Sequence, residues 1–248
     1  MRRGLKISAW VVGAVGVLIV ALVGTVWVAG NTDSGRALIE RLTYRLTAGH
    51  VKLSGLGGAF PMQITLGELQ LSDGSGVWLT ADRLSLRWSP LKLLERRIQV
   101  DELQVSLLHM ERAPGGGQQH GGSVSIPHID VGRFSIDTVE LGAPLTGTPV
   151  TLSVSGNVQL RSLQDANADL VARRLDGDGQ YALHLRLDPR RMDASLVMHE
   201  PASGPLENLL SLPGLGALSA TATLEGPRGA ARLDVTLHAG DLDARARG

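Results

Sequence analysis

Apolar and polar residues alternate along several segments of this chain. The clearest alternation runs through Val150–Leu160, Tyr181–Leu187 and Leu233–Leu237. A period of two places every second side chain on the same side of an extended strand. Asp-Gly pairs, which are typical of hairpin turns, lie between such runs at residues 73–74, 176–177 and 178–179. Because the opposite side is polar, we expect antiparallel strands with one covered face, in a mainly β fold.

A repeated pattern adds detail to this expectation. Each copy has two alternating apolar positions, then Gly or Asp beside a charged residue, then two more apolar positions; copies begin at Ile64, Leu79, Ile98 and Ile129. The central doublet shifts the alternation by one, and a β-bulge or corner there would return the second half to the same face. Chance similarity among aliphatic strands is the alternative. A true repeat predicts an elongated array whose units pack mainly on their neighbours.

Helical spacing is confined to short segments. Leu38, Leu42 and Leu46 recur at helical intervals after the capping residues 32–34, which predicts an amphipathic helix over Ser34–Leu46. Weaker helical patterns occur at Pro90–Arg96 and Leu206–Leu212.

The segment Ile7–Ala29 contains no charged side chain. At about 1.5 Å per residue it gives a helix of roughly 34 Å, enough to cross a hydrocarbon core of about 30 Å. We expect an uncleaved anchor in domain 1–30, since a signal peptide has a shorter apolar run and Val26–Gly30 is a poor cleavage site. Basic residues before the run place the N-terminus in the cytoplasm and domain 31–248 beyond the membrane. The predicted bilayer contacts are Trp10, Leu18, Ile19, Leu22 and Trp27.

Composition and motifs exclude several function classes. Lys+Arg and Asp+Glu both number 24, so the chain has no excess of positive charge that would favour binding to nucleic acid. The chain has no cysteine, and its histidines show no metal-ligand spacing. GxSxG, HExxH and GxxxxGK[ST] motifs are absent. We therefore expect no enzyme, no metal and no cofactor; an anchored hydrolase would need a nucleophile and base that cannot be assembled.

Two local features leave alternatives open. Asp176–Gly179 resembles part of a calcium loop, but the remaining acidic ligands are missing and a hairpin turn is favoured. Four arginines, at positions 83, 87, 96 and 97, form either a patch for lipid headgroups or an ordinary solvated surface.

The predicted apolar stripe is aliphatic, since aromatic residues make up only 3% of the chain. If one curved sheet stays partly open, the stripe is a groove for hydrocarbon. If two sheets close over it, the stripe is sandwich core, and the protein is a scaffold or a protein-interaction module. The residues predicted to contact lipid in the groove are Ile64, Leu66, Leu69, Leu71, Val100, Val105, Leu183 and Leu185.

Three segments carry a resemblance to a known family: residues 31–42, 77–91 and 98–105. They resemble the N-terminal part of the TamB family, the inner-membrane component of the translocation and assembly module. Trp88-Ser-Pro-Leu91 is also shared with the wider AsmA-like group.

The resemblance implies an inner-membrane-anchored periplasmic protein, built as a long, curved antiparallel β trough. It also implies roles in outer-membrane biogenesis, autotransporter secretion and phospholipid movement between the two membranes, with either lipid or outer-membrane protein as cargo. No catalytic residue or cofactor is implied. In this family a C-terminal region engages TamA, an outer-membrane barrel of the Omp85 type. This chain is shorter and stops at Gly248 inside an alternating run, so it is expected to be a truncated base of the trough without that region.

Overall fold

The computed structural model describes residues 30–115, 128–162, 164–202 and 216–248. Within them lie helix α1 (Asp33–Leu46), a 3-10 helix (Pro90–Glu95) and a single helical turn, α2 (Ala143–Thr146). All other regular structure is β. The strands are β1 Val51–Ser54, β2 Gln63–Asp73, β3 Gly76–Trp88, β4 Arg97–Met110, β5 His128–Leu141, β6 Val150–Ser162, β7 Asp165–Arg174, β8 Gln180–Leu187, β9 Arg191–Glu200, β10 Leu218–Pro227, β11 Arg232–Ala239 and β12 Leu242–Arg247.

Helix α1 confirms the helix predicted after the apolar segment and begins one residue earlier. The hydroxyl of Thr32 accepts a hydrogen bond from the amide of Gly35, which satisfies a donor that the first helical turn leaves free. Asp33 in the first turn and Arg45 in the last turn complement the helix dipole. The 3-10 helix corresponds to the weaker helical pattern predicted over Pro90–Arg96.

The twelve strands form one sheet in which spatial order follows sequence order from β1 to β12. Neighbouring strands are antiparallel, as expected, except that β4 and β5 are parallel. The prediction of antiparallel strands throughout is therefore wrong at this one pair. A parallel partner requires the chain to return to the end where the first strand began, and residues 111–127 make that return.

Asp73 closes the turn between β2 and β3 and also holds the beginning of this return. Its carboxylate accepts two hydrogen bonds from Arg112, at 2.8 and 2.6 Å. The amides of Ser75 and Gly115 donate to the same carboxylate at 2.8 and 2.7 Å. The hydrogen bonds from Arg112, and then those from the amides, hold the pKa of Asp73 well below its usual range. The predicted Asp-Gly turn is confirmed, with a second role that its sequence did not show.

The regular spacing of strand β6 allows the spacing of its partner residues on β5 to be compared with it. It alternates regularly from Val150 to Leu160, so Leu152 and Val154 lie on one face. Their partners on β5 are Val139 and Ile136, which are three residues apart. The extra residue is accommodated by a register shift between Ile136 and Val139, outside the central doublet predicted for this strand.

The same interruption continues through β4 and β3 into β2. Ile136 and Val139 pair with Val105 and Leu108, which pair with Leu84 and Ala81, which pair with Leu66 and Leu69. In β3 the interruption falls at Arg83, whose φ of 50° lies in the left-handed region. A second interruption separates Val131 from Phe134 on β5, and Val100 from Leu103 on β4. The predicted doublets of β2 and β3 therefore lie at the first interruption, and those of β4 and β5 lie at the second.

Several predicted features lie outside the described residues. They are the helical pattern at 206–212 and the anchor contacts Trp10, Leu18, Ile19, Leu22 and Trp27. Within the part of the chain that the structure describes, no helix has the length and apolar character needed to span a membrane.

Candidate functional site

One face of the sheet is apolar over most of its length. Because paired residues share a face, the register carries this face from strand to strand. One row crosses the sheet through Ile64, Leu86, Leu103, Phe134, Gly156, Leu170, Leu183, Leu196, Ala222, Val235 and Ala246. A parallel row runs through Leu66, Leu84, Val105, Ile136, Val154, Ala172, Tyr181, Met198, Ala220, Leu237 and Ala244. We call this surface the apolar face.

The opposite face is mainly polar. One of its rows passes from Asn157 through Asp169 and His184 to Ser195. His184 forms a hydrogen bond with Asp169, and Asn157 donates to the same carboxylate at 3.2 Å. These bonds, the one from His184 first, lower the pKa of Asp169. The side chain of His184 is half-exposed on this face.

Among the described residues, no second layer of strands closes over the apolar face. Each strand packs extensively only on its neighbours in the sheet. Most side chains of the apolar face are partly exposed, and the fully buried apolar residues are few and mainly small: Leu56, Ala81, Val105, Val139, Val150, Ala168, Leu218 and Ala239. A closed sandwich would bury both inner faces. In this part of the chain the open sheet, not the sandwich, is the observed arrangement.

The apolar face is too large to be incidental. Twelve strands at a spacing of about 4.8 Å extend about 50 Å, and even an eight-residue strand adds about 25 Å in the other direction. The product, on the order of 1,250 Å², exceeds the largest apolar patch of an ordinary monomer, about 300–600 Å². A surface of this extent in water indicates an apolar ligand.

The structure places all the residues predicted to contact lipid on the apolar face. Ile64, Leu66, Leu69 and Leu71 lie on β2, Val100 and Val105 on β4, and Leu183 and Leu185 on β8. Val105 is buried, with 4% exposure, whereas the other members of the set are partly exposed. The side chain of Val105 therefore packs below the more exposed side chains of the apolar face.

A polar cluster interrupts the apolar face beside the turn between β7 and β8. The hydroxyl of Tyr181 donates a hydrogen bond of 2.8 Å to Glu200, which is 1% exposed. Arg174 lies 4.0 Å from Glu200 and donates to Asp176 at 2.8 Å. Burial, and then the hydrogen bond to Glu200, raise the pKa of Tyr181 well above its usual value. Arg174 thus lies between the two carboxylates of the cluster, and its bond to Asp176 ties the end of β7 to the turn.

Sequence reasoning missed this cluster, although a signal was present. Arg174 and Glu200 occupy positions of β7 and β9 whose alternation assigns them to the apolar face. A charged residue at such a position requires a partner, since an unpaired buried charge is costly.

The remaining local predictions have separate outcomes. Asp176–Gly179 forms the turn between β7 and β8, as favoured over a calcium loop. Arg87, Arg96 and Arg97 lie at the end of the sheet beside the 3-10 helix, whereas Arg83 lies at the interruption within β3. No group of His, Asp and Glu that could hold a metal ion occurs in the described residues.

An open sheet with one aliphatic face and one mainly polar face defines the class of this protein: a mainly β protein built, in its described part, on a single sheet without a covering layer. The model of the YdbH-like family, described as intermembrane phospholipid transport protein YdbH, matches residues 20–247. The chain belongs to this family.

This membership supports the AsmA-like group that the sequence resemblance indicated, and it does not single out TamB. The family is one of lipid transport proteins. Searches of curated proteins and of solved structures gave no match.

Proposed function

We propose that this protein transports phospholipid between two membranes by sliding acyl chains along the apolar face. The observation that carries the proposal is the continuity of that face across all twelve strands. Exposing an acyl chain of about 14 methylenes to water costs about 0.8 kcal/mol each, or about 11 kcal/mol per chain. A surface that covers one side of the chain removes about half of this cost.

Transport also depends on the regularity of the apolar face, which offers similar contacts from one strand to the next. Each row places one aliphatic residue on nearly every strand, so an acyl chain that moves by one strand spacing exchanges similar contacts. No single position then holds the chain far more tightly than the next. The headgroup stays in water on the open side, which requires no buried polar site and no covalent step.

The proposal includes the topology expected from the sequence. Residues 7–29 anchor the chain in the inner membrane with the N-terminus in the cytoplasm, and residues 31–248 lie in the periplasm. The roles in protein secretion and the Omp85-type partner implied by the TamB resemblance remain predictions of that resemblance. The membership in a lipid transport family favours phospholipid as the cargo.

Site-specific photocrosslinking tests the proposal on the anchored protein in its membrane. Leu185 lies on the apolar face and its chain neighbour Arg186 lies on the polar face. A crosslinking amino acid at Leu185 should capture phospholipid, and the same group at Arg186 should not. Equal capture at both positions, or capture at neither, would contradict transport along the apolar face.

A further inference from the structure

An exposed apolar patch lies at one end of the sheet, where the chain enters the described part of the structure. The 3-10 helix presents Leu91, Leu93 and Leu94 with exposures of 71%, 47% and 86%, and Met62 beside it is 58% exposed. We call these four residues the terminal patch. Water-exposed leucines at such density on a six-residue helix require a contact beyond the sheet itself.

Two residues of the terminal patch, Met62 and Leu91, line a cavity of about 740 Å³. Its lining is mainly apolar and includes Phe60, Met62, Trp88 and Leu91. Trp88 pairs with Val100 and thus also belongs to the apolar face. Its indole nitrogen donates to the carbonyl oxygen of Pro61 at 2.7 Å, which fixes the ring between the cavity and the sheet. The cavity and the apolar face therefore share a wall.

The chain that precedes α1 is held at this same place. Asn31 lines the cavity and donates to the carbonyl oxygen of Phe60 at 2.8 Å. Arg36 donates to the carbonyl oxygens of Gly30 and Gly58, both at 3.0 Å. The predicted membrane anchor ends one residue before Gly30. The bilayer surface from which the anchor emerges is thus the nearest large apolar medium to the terminal patch.

The charge near the terminal patch is also consistent with contact to a bilayer surface. Arg96 and Arg97, both exposed, follow the 3-10 helix directly. Within the helix Lys92 is paired with Glu95 at 2.9 Å, so the two arginines leave the net charge of this segment positive. Leucines that point into an interface with basic residues beside them are typical of segments that lie in the surface of an anionic bilayer.

We propose that the terminal patch inserts into the surface of the bilayer that holds the anchor, and that an acyl chain passes through the cavity onto the apolar face. This inference rests on the proposed function and names the place where lipid is taken up. The occupant is the lipid surface itself.

Because the chain has no cysteine, single cysteines can report the position of each site. We would attach an environment-sensitive fluorophore to Leu94→Cys in the full chain, reconstituted in vesicles of phosphatidylethanolamine and phosphatidylglycerol. Ser75→Cys is the matched control, because Ser75 is exposed in the turn at the opposite end of β2 and β3. Brominated acyl chains should quench the probe at position 94 and leave the probe at position 75 unchanged. Equal quenching at both positions, or none at 94, would overturn the inference.

A second measurement separates this inference from the proposed function. Leu94→Glu changes a side chain that is 86% exposed, so the fold should tolerate it. Lipid crosslinking at Leu185 should then fall about tenfold, the ratio expected when transfer of one leucine side chain is lost. Unchanged crosslinking in this variant would refute uptake at the terminal patch. Absence of crosslinking at Leu185 in the unchanged protein would instead refute transport along the apolar face, whereas the quenching result would still decide the membrane contact.

Discussion

A charge in the middle of the apolar face should weaken lipid binding far more than the same charge on the polar face. Leu183 lies near the centre of the sheet, paired with Leu170 and Leu196 on the apolar face. Its chain neighbour Ala182 is exposed on the opposite face. Leu183→Asp and Ala182→Asp therefore introduce the same group on the same strand, one residue apart.

The magnitude follows from the spacing of the strands. An acyl chain of about 14 methylenes occupies about half of a 30 Å bilayer core, or about one methylene per ångström. One strand spacing of about 4.8 Å then corresponds to about four methylenes. At about 0.8 kcal/mol each, with one side covered, their contact is worth about 1.6 kcal/mol. This corresponds to about a 15-fold weaker affinity, and hydration of the new carboxylate weakens binding further.

The assay is equilibrium binding of a fluorescent phospholipid to the purified full-length protein. Circular dichroism and the thermal midpoint of each variant show whether the sheet is retained, and Leu183→Ala supplies a milder change at the same position. We expect weaker binding for Leu183→Asp and nearly unchanged binding for Ala182→Asp. If both aspartates weaken binding equally while both variants stay folded, the assignment of lipid to the apolar face is refuted.

Three further predictions concern stability and its dependence on pH. Gly156→Ala should destabilise the fold by about 1–3 kcal/mol, since the new Cβ would lie 2.2 Å from the carbonyl oxygen of Asp169. Asp73→Asn should flatten the loss of stability in acid: the folded pKa of Asp73 is lowered, so its contribution exists above about pH 4 and is lost as the pH falls below that. Tyr181→Phe should cost about 1–3 kcal/mol, because it removes a hydrogen bond from the buried carboxylate of Glu200.

Each of these changes has a control in urea unfolding. Ser155→Ala, next to Gly156 but exposed on the polar face, should leave the unfolding midpoint nearly unchanged. For Asp73, the free energy of unfolding is compared between the unchanged protein and Asp73→Asn. If it falls with the same slope in both proteins below pH 4, the carboxylate of Asp73 does not contribute to stability. For Tyr181, an unchanged midpoint would show that other partners satisfy Glu200 without the phenol.

Local chemistry made the strands and turns predictable. Alternation identified the faces of β6, β8 and β11, and Asp-Gly pairs located the turns at Asp73 and Asp176. The doublets could be interpreted because a one-residue shift of the alternation in an aliphatic strand leaves few solutions other than a bulge.

The parallel pairing of β4 with β5 could not be predicted in this way. Both strands carry the same repeat, starting at Ile98 and Ile129, and either direction of pairing would have placed their apolar residues on one face. The alternation of the two strands does not encode the direction of their pairing, and the glycine-rich sequence that connects them carries no periodic signal.

The sequence predicts which residues belong to the candidate site, but it does not predict whether their side chains are exposed. Alternation assigns Leu183 and Leu185 to an apolar face, and it does so equally for an open trough and for a closed sandwich. Only the absence of a covering layer over the described strands distinguishes them. The terminal patch was missed for a related reason, since Leu91, Leu93 and Leu94 look the same in sequence whether they face a core or a membrane.

The parallel pair divides the folding problem of this sheet into two. From β1 to β4, and again from β5 to β12, each strand pairs antiparallel with the strand before it, so the contacts of a new strand can begin next to the connection that leads into it. The parallel pair of β4 and β5 differs, because even its nearest contacts in the sequence are as far apart as Arg97 and His128. We therefore expect the seam between these two strands to form last and to set the refolding rate of the domain. Shortening the connection between them should speed refolding and leave the unfolding rate nearly unchanged.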